Sequence, residues 1–292
     1  MANTLVKSQK WATMLQTQLR EAFIGKEIVS TKFEGDFTGS DTVNFRRMAK
    51  LTVLPLATAS SSVTLQDINI SNEVFTFNNR EHFAIEISDE DAKELDISPE
   101  SQGIQDATEE YANKYDTAIM QEYANAGIVV DDGNMESESN GGAGNAIALT
   151  KANIFDLFTA INQTLDEANV SPNGRWAIIS PAQRRLIAKS PDLVKNTEAS
   201  DKRLRTGKVL GEIDGIKIMV SNNLQTATGT QHILAGQGTP IDFAANLKPA
   251  VQVIPSSSNP DKFVAVFKSF TKFGTKVFTD GAEKLIDVQI VA

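Results

Sequence analysis

A hydrolytic site needs a base, and histidine occurs in this chain only at His82 and His232. The two lie far apart in sequence, and no G-x-S-x-G nucleophile elbow accompanies either. Cysteine is absent, which removes thiolate nucleophiles, thiolate metal sites and disulfides together. Two glycine-rich stretches, GGAGN and RTGKVLG, hold the right residue types for a phosphate loop but not the spacing. The first follows no strand; the second lacks the upstream glycine and the hydroxyl residue after its lysine. Asp131, Asp132, Asn134 and Glu136 offer oxygen ligands suited to calcium, yet they depart from the EF-hand spacing. A solvated acidic loop is the other reading of that stretch. Asp89, Glu90 and Asp91 read as an acidic turn ahead of a helix.

Two basic groups remain. One is Arg46, Arg47 and Lys50; the other is Lys202, Arg203, Arg205 and Lys208. The second could grip nucleic acid. In a chain of net charge -9, such groups more often meet an acidic surface on a partner. The chemistry therefore points away from catalysis and toward binding or building, with no cofactor or metal implied.

The element around which the rest is arranged runs from Ser98 to Gly127. Ser98 suits an N-cap and Pro99 the first helical position, where a missing N–H costs nothing. Acidic residues crowd the first half, as the helix dipole favours. Ile104, Tyr111, Tyr115, Ala118, Ile119 and Tyr123 fall at helical spacing, and Gly127 suits a left-handed stop. The spacing predicts one helix of roughly 40 Å at about 1.5 Å per residue. Its stripe is narrow, so it is expected to lie across a surface.

Ahead of it, Trp11, Met14, Leu15, Leu19 and Phe23 predict a short amphipathic packing helix, and residues 28–33 alternate like a strand. GSDTVNFRRMAKLTV (39–53) is strand-like. The following LPLATASSSVTLQDINI puts small polar residues where a core strand would have bulk. This predicts an extended two-stranded arm over residues 35–77, too poor in apolar surface to offset its own ordering entropy. Something outside this chain's own core must hold it, which points to a partner molecule; a flexible surface loop is the other reading. FTFNNREHFAIEISDED (75–91) then alternates clearly and predicts a strand pair.

Beyond the long helix, residues 131–145 read as a loop. Residues 150–168 form a second helix that buries Ile154, Phe155, Leu157, Phe158, Ile161 and Leu165. A buried strand follows in 172–181, then a proline-bounded helix in 181–191. A strand–glycine turn–strand unit lies in 202–224, and a short strand pair in 232–247. From Val251 the pattern is antiparallel strands with turns expected at Gly274 and at Asp280-Gly281. At 292 residues the chain suffices for one large domain or two modest ones. It carries no apolar run of membrane-span length and no signal-peptide core.

In the order of these segments the chain resembles the major capsid (coat) proteins of tailed bacteriophages. The Trp11 region looks like their N-arm, GSDTVNFRRMAKLTV and its continuation like their extended loop, or E-loop, and Ser98–Gly127 like their spine helix. GEIDGIKIMVSNNL with RWAIISP is the most specific part. The resemblance implies an α+β fold with a long spine helix and antiparallel sheet in a peripheral domain, a mixed α/β axial domain and a β-hairpin E-loop. Residues 1–34 would be the N-terminal arm, 35–74 the E-loop, 75–130 with 251–292 the peripheral domain, and 131–250 the axial domain. It further implies hexamers and pentamers in an icosahedral virion shell, assembled in the host cytoplasm around DNA bound without sequence specificity. The two basic groups would lie at subunit interfaces. Because Trp11 comes so early, scaffolding is expected to be a separate protein or none, with portal and decoration proteins as further partners. A bacterial nanocompartment shell protein of the same fold, or a soluble enzyme with an unrecognised site, are the alternatives.

Overall fold

In a computed structural model the described residues are 25–33, 41–48, 53–55, 63, 65, 67–68, 70–88, 99–137, 139–190, 209–246, 252–254 and 263–292. The amphipathic helix expected over 11–23 lies outside them. In chain order the elements are β1 (Val29–Ser30), β2 (Thr42–Met48), β3 (Ile70–Thr76), β4 (Asn79–Ser88), α1 (Pro99–Met120), β5 (Ile128–Val130), α2 (Ile154–Glu167), β6 (Arg175–Ile179) and α3 (Pro181–Lys189). There follow β7 (Val209–Ile213), β8 (Ile216–Val220), β9 (Thr226–Ala227), β10 (Thr230–Gln237), β11 (Ile241–Asn246), β12 (Gln252–Ile254), β13 (Val264–Val277), the single turn α4 (Thr279–Ala282) and β14 (Leu285–Val291).

The strands form two principal sheets and a hairpin. The first sheet runs β1-β11-β13-β12, with β4 on the other side of β13. The second runs β5-β14-β10-β6-β8-β7, with β9 against β10. β2 and β3 pair with each other alone among the described strands.

α1 begins where Pro99 predicts. It ends as an α-helix at Met120 and continues as a 3-10 turn over Gln121–Asn125. Gly127 is not the left-handed stop expected of it. Its N–H donates to the Ala282 carbonyl at 2.9 Å, and a Cβ there would stand 2.5 Å from that oxygen. The glycine is required by backbone proximity. Tyr111, Ala118 and Ile119 are buried as the stripe requires. Tyr111 lies against Phe83 of β4, with ring centroids 5.9 Å apart, and Tyr115 packs edge-on against Phe273 of β13 and Phe243 of β11. The Tyr115 hydroxyl shares a 2.8 Å hydrogen bond with Thr271. α1 thus lies across one face of the first sheet.

α2 buries Ile154, Leu157, Phe158, Ala160, Ile161 and Leu165, with Phe155 partly buried against the same core. Each large side chain so buried contributes roughly 2 kcal/mol. β6 is buried at every position and pairs in parallel with β8, as a near-continuous apolar run demands. Arg175, at the start of β6, is only 4% exposed. Its guanidinium donates to Asp166 (2.5 Å), Asn162 Oδ1 (2.7 Å) and the Val170 carbonyl (2.8 Å), tying the end of α2 to the sheet. The β7–β8 hairpin turns on Asp214 and Gly215, both at positive φ, as a two-residue turn of this hand requires.

Three pairings differ from the sequence expectation. β3 and β4 follow each other without pairing: β3 joins β2, and β4 joins β13. β10 and β11 enter different sheets. Gly274 is no turn; it lies inside β13, one uninterrupted 14-residue strand. Alternation identifies a strand but does not name its neighbour. The segment 251–292 is likewise divided, with β13 in the first sheet and β14 in the second.

Candidate assembly interface

The arm is the antiparallel pair β2–β3, in register from Thr42 opposite Thr76 to Met48 opposite Ile70. Alternation fixes two faces. Val43, Phe45 and Arg47 turn inward, while Asn44, Arg46 and Met48 are exposed. At the base, Phe75 and Phe77 are buried together with Ala244, and Phe33, Val43, Phe45 and Phe278 pack on them. Phe45 meets Phe33 at a centroid distance of 4.3 Å and Phe278 edge-on at 5.4 Å. Gly274 lets β13 pass beneath: a Cβ there would stand 2.5 Å from the Thr76 carbonyl oxygen and 3.1 Å from the Phe75 ring.

Charged groups clamp the same base. Arg47 donates to Glu73 at 3.2 Å and also pairs with Asp280. Glu73 accepts a second bond from the Thr279 hydroxyl at 2.6 Å. Burial pushes the Glu73 carboxyl up, but the bonds from Thr279 and Arg47 outweigh it and hold the pKa below its ordinary value. Asp41 accepts from Lys272 at 2.9 Å and from Arg80 at 3.0 Å. The Lys272 bond, followed by the charges of Lys272 and Arg80, keeps Asp41 low despite some desolvation.

Farther out the arm is different. Met48, Val53, Leu54, Val63, Leu65, Ile68, Ile70 and Val74 are all exposed, Val53 at 96% and Leu65 at 90%. An anchored base therefore carries exposed apolar side chains among the described residues, the kind of surface that marks an interaction site.

Of the seven basic residues singled out in the sequence, Arg46 is exposed on β2. Arg47 turns inward to Glu73 and Asp280 within its own chain. The strand period separates these two neighbours onto opposite faces. Lys50, Lys202, Arg203, Arg205 and Lys208 lie outside the described residues. The clamp carboxylates Asp41, Glu73 and Asp280 were not singled out by sequence. Asp280 carried a signal in the Asp280-Gly281 pair, which was read only as a turn.

The acidic stretch 131–145 is largely exposed, Glu136 included, as a solvated loop is, but Asp132 departs from that reading. Asp132 is fully buried and accepts from the Ser139 amide (2.8 Å) and hydroxyl (2.6 Å), the Asn140 amide (2.6 Å) and the Gly142 amide (2.9 Å). Burial alone would push its carboxyl up. The Ser139 hydroxyl and the amides of Gly142, Ser139 and Asn140 overcome that and hold it far below the usual carboxylate range. Its oxygens organise the loop, and no group of three metal-ligating side chains occurs among the described residues. His232 is buried, bonded through Nδ1 to Asp287 at 2.9 Å and stacked on Tyr123 at 3.9 Å. Burial pushes Asp287 up against the opposing hydrogen bond and charge of His232. His82 is exposed on β4.

Two sheets with packed helices, a long helix across the first of them and a hairpin with exposed apolar side chains make up the described fold. A family model described as phage capsid protein matches residues 80–282, and the chain belongs to that family. Among solved structures it is similar to a chain from Mycobacterium phage Che8, at 18% identity with 98% of each chain covered and a TM-score of 0.75. It is similar also to the capsid structure of the cyanophage P-SCSP1u (14% identity, 97% of this chain and 92% of that chain, TM-score 0.74). A third likeness is to the capsid of cyanophage Pam1 (11% identity, 100% and 98%, TM-score 0.72). No curated protein matches in sequence. The fold is that of tailed-phage major capsid proteins, and the chain is a structural protein of the virion shell. No helix among the described residues is long and apolar enough to cross a membrane.

Proposed function

We propose that this protein is the principal subunit of its capsid. It assembles as hexamers and pentamers into an icosahedral shell around double-stranded DNA, in the host cytoplasm, with portal and decoration proteins as further partners. The first sheet with α1 serves as the peripheral domain and the second sheet with α2 and α3 as the axial domain. On that division β5, β11 and β14 fall on the other side of the boundaries at residues 130 and 250. The β2–β3 arm is the E-loop. Head-to-tail contacts between identical chains close into rings, and many modest contacts per subunit add to a strong shell.

The observation that carries this reading is the arm itself. Its base is fixed by the phenylalanine cluster and by the Arg47 and Asp41 clamps, while its outer apolar residues lie in water. A neighbouring copy removes that surface from water. Exposed Arg46, with Lys50 and the 202–208 group, then faces acidic surface on adjoining copies. A net charge of -9 leaves the packaged DNA loosely held, since little phosphate is neutralised.

The test uses the register Met48 opposite Ile70. Replacing residues 49–69 by Asn-Gly closes the hairpin with a two-residue turn and leaves the base intact. The variant is expected to unfold at the same temperature as the parent subunit and to form no shells by negative-stain microscopy. Normal shells would overturn the reading.

A further inference from the structure

A hollow of about 530 Å³ lies where the arm meets the body, and both supply its walls. Phe45 and Arg46 come from the arm; Ser30, Lys32, Asp242 and Lys284 come from the body. The volume falls within the range of small-molecule sites, about 300–1,000 Å³. Three kinds of surface meet in it. Phe33, Phe45 and Phe278 are half-buried and line it together. Their ring centroids stand between 4.3 and 5.8 Å apart, which makes an aromatic wall.

The second surface is polar and short of donors. Ser30 and Asp242 are cross-strand neighbours on β1 and β11. Ser30 is 8% exposed, and its hydroxyl completes no hydrogen bond among the described residues. Burial pushes the Asp242 carboxyl above its ordinary value. The nearby Ser30 hydroxyl, out of bonding geometry, and the charge of Lys32 offset only part of that. Acceptors withdrawn from water in this way are costly until a donor reaches them. The third surface is cationic: Lys32, Arg46 and Lys284 are exposed at the rim. Arg47 also lines the hollow, but Glu73 and Asp280 engage it.

We propose that this hollow binds a nucleoside monophosphate, with guanine the base that matches it best. A flat ring stacks on the aromatic wall. An ionised carboxylate is an acceptor with two oxygens side by side. Guanine offers two adjacent N–H donors on its pairing edge, where adenine has a donor beside an acceptor. Asp242 therefore accepts twice from guanine, with the Ser30 hydroxyl alongside, and the phosphate meets the rim cations. A simple cation would satisfy Asp242 and leave the wall and the rim unmatched. An apolar occupant would leave Ser30 and Asp242 buried without donors. Because the walls belong to arm and body alike, the bound nucleotide ties one to the other, and the direction of the arm responds to a ligand.

The test uses the unassembled full-length subunit, so shell formation enters none of its readouts. Titration calorimetry with guanosine monophosphate is expected to show one site per chain. A roughly hundredfold excess over Kd is expected to raise the melting temperature by about 5 °C. Adenosine monophosphate is expected to bind at least about tenfold more weakly, since one of the paired donors is lost. Inorganic phosphate is expected not to saturate. Lys284→Glu is expected to weaken guanosine monophosphate at least about tenfold. Asp242→Asn is expected to erase the preference between the two nucleotides while the circular dichroism stays that of the parent. Lys151→Glu, an exposed charge outside the hollow, is expected to change nothing. A short single strand with one internal guanine separates the sources: competition admits a base within a chain, and its failure restricts the site to free nucleotide. Lack of saturable binding, equal affinity for the two nucleotides, or binding indifferent to both Lys284→Glu and Asp242→Asn overturns the assignment.

Discussion

Gly274→Ala puts the link between the arm and the body to a quantitative test. Inside an ordinary strand this change is mildly favourable, because glycine loses more backbone freedom on folding and supplies nothing to pack. Here the added Cβ would stand 2.5 Å from the Thr76 carbonyl oxygen and 3.1 Å from the Phe75 ring. A tolerated carbon–oxygen contact is about 3.3 Å, so β3 and β13 must part by roughly 0.8 Å. The obstacle is backbone, which cannot rotate away as a long side chain can. Overpacking of this kind costs about 1–3 kcal/mol. A loss near 2 kcal/mol corresponds to a fall of about 4 °C in a chain of this size. The displaced end of β3 carries the arm with it, so shell yield is expected to fall more steeply than melting temperature. Thermal unfolding of the unassembled subunit and particle counts by negative stain read the two effects. A variant as stable as the parent, or more so, would refute the close-approach argument, because the glycine would then be a replaceable strand residue.

The strand period separates the two arginines of the arm. Arg47→Glu places a carboxylate beside Glu73 and Asp280 and is expected to lower the melting temperature, whereas Arg46→Glu leaves it unchanged and lowers particle yield; equal effects in both assays would contradict the assignment of faces. Ala112→Pro in the middle of α1 removes a helical hydrogen bond and is expected to cost about 3 kcal/mol or more, visible as a lower melting temperature and loss of shells. Asp132→Asn keeps the shape but halves the acceptor capacity toward the loop amides, and is expected to cost about 2 kcal/mol at neutral pH. Because the Asp132 pKa is depressed by folding, its contribution is complete above the unfolded value near 4 and is lost as pH falls below it. The stability gap between parent and Asp132→Asn is therefore expected to narrow only in acid; a gap that narrows between pH 5 and 8 would point to another group.

Local signals were legible wherever the chemistry was local. Pro99 marks the start of α1, the spacing of Ile154, Leu157, Phe158, Ile161 and Leu165 gives the buried face of α2, and Gly215 marks the turn of the β7–β8 hairpin. The arm could be read from its composition because an under-packed stretch is a local property. Partner choice was not local. Nothing in the alternation of 75–91 says that its two strands part company, or that β10 and β11 belong to different sheets. The misread glycines share one cause: Gly127 and Gly274 are needed for contacts with Ala282 and Thr76, far away in sequence. The structural role of Asp132 is invisible in sequence because its amide donors, at Ser139, Asn140 and Gly142, belong to the backbone and leave no trace in residue type. Arg175 escaped notice for the same reason, since its partners converge only in three dimensions.

β13 lies between β4 on one side and β11 with β12 on the other, and β14 separates β5 from β10. Both strands emerge from the ribosome after every strand they hold together. Until then neither sheet is complete, and the base of the arm still lacks Phe278 and Asp280. A prematurely terminated product therefore lacks the middle of its architecture instead of a dispensable edge.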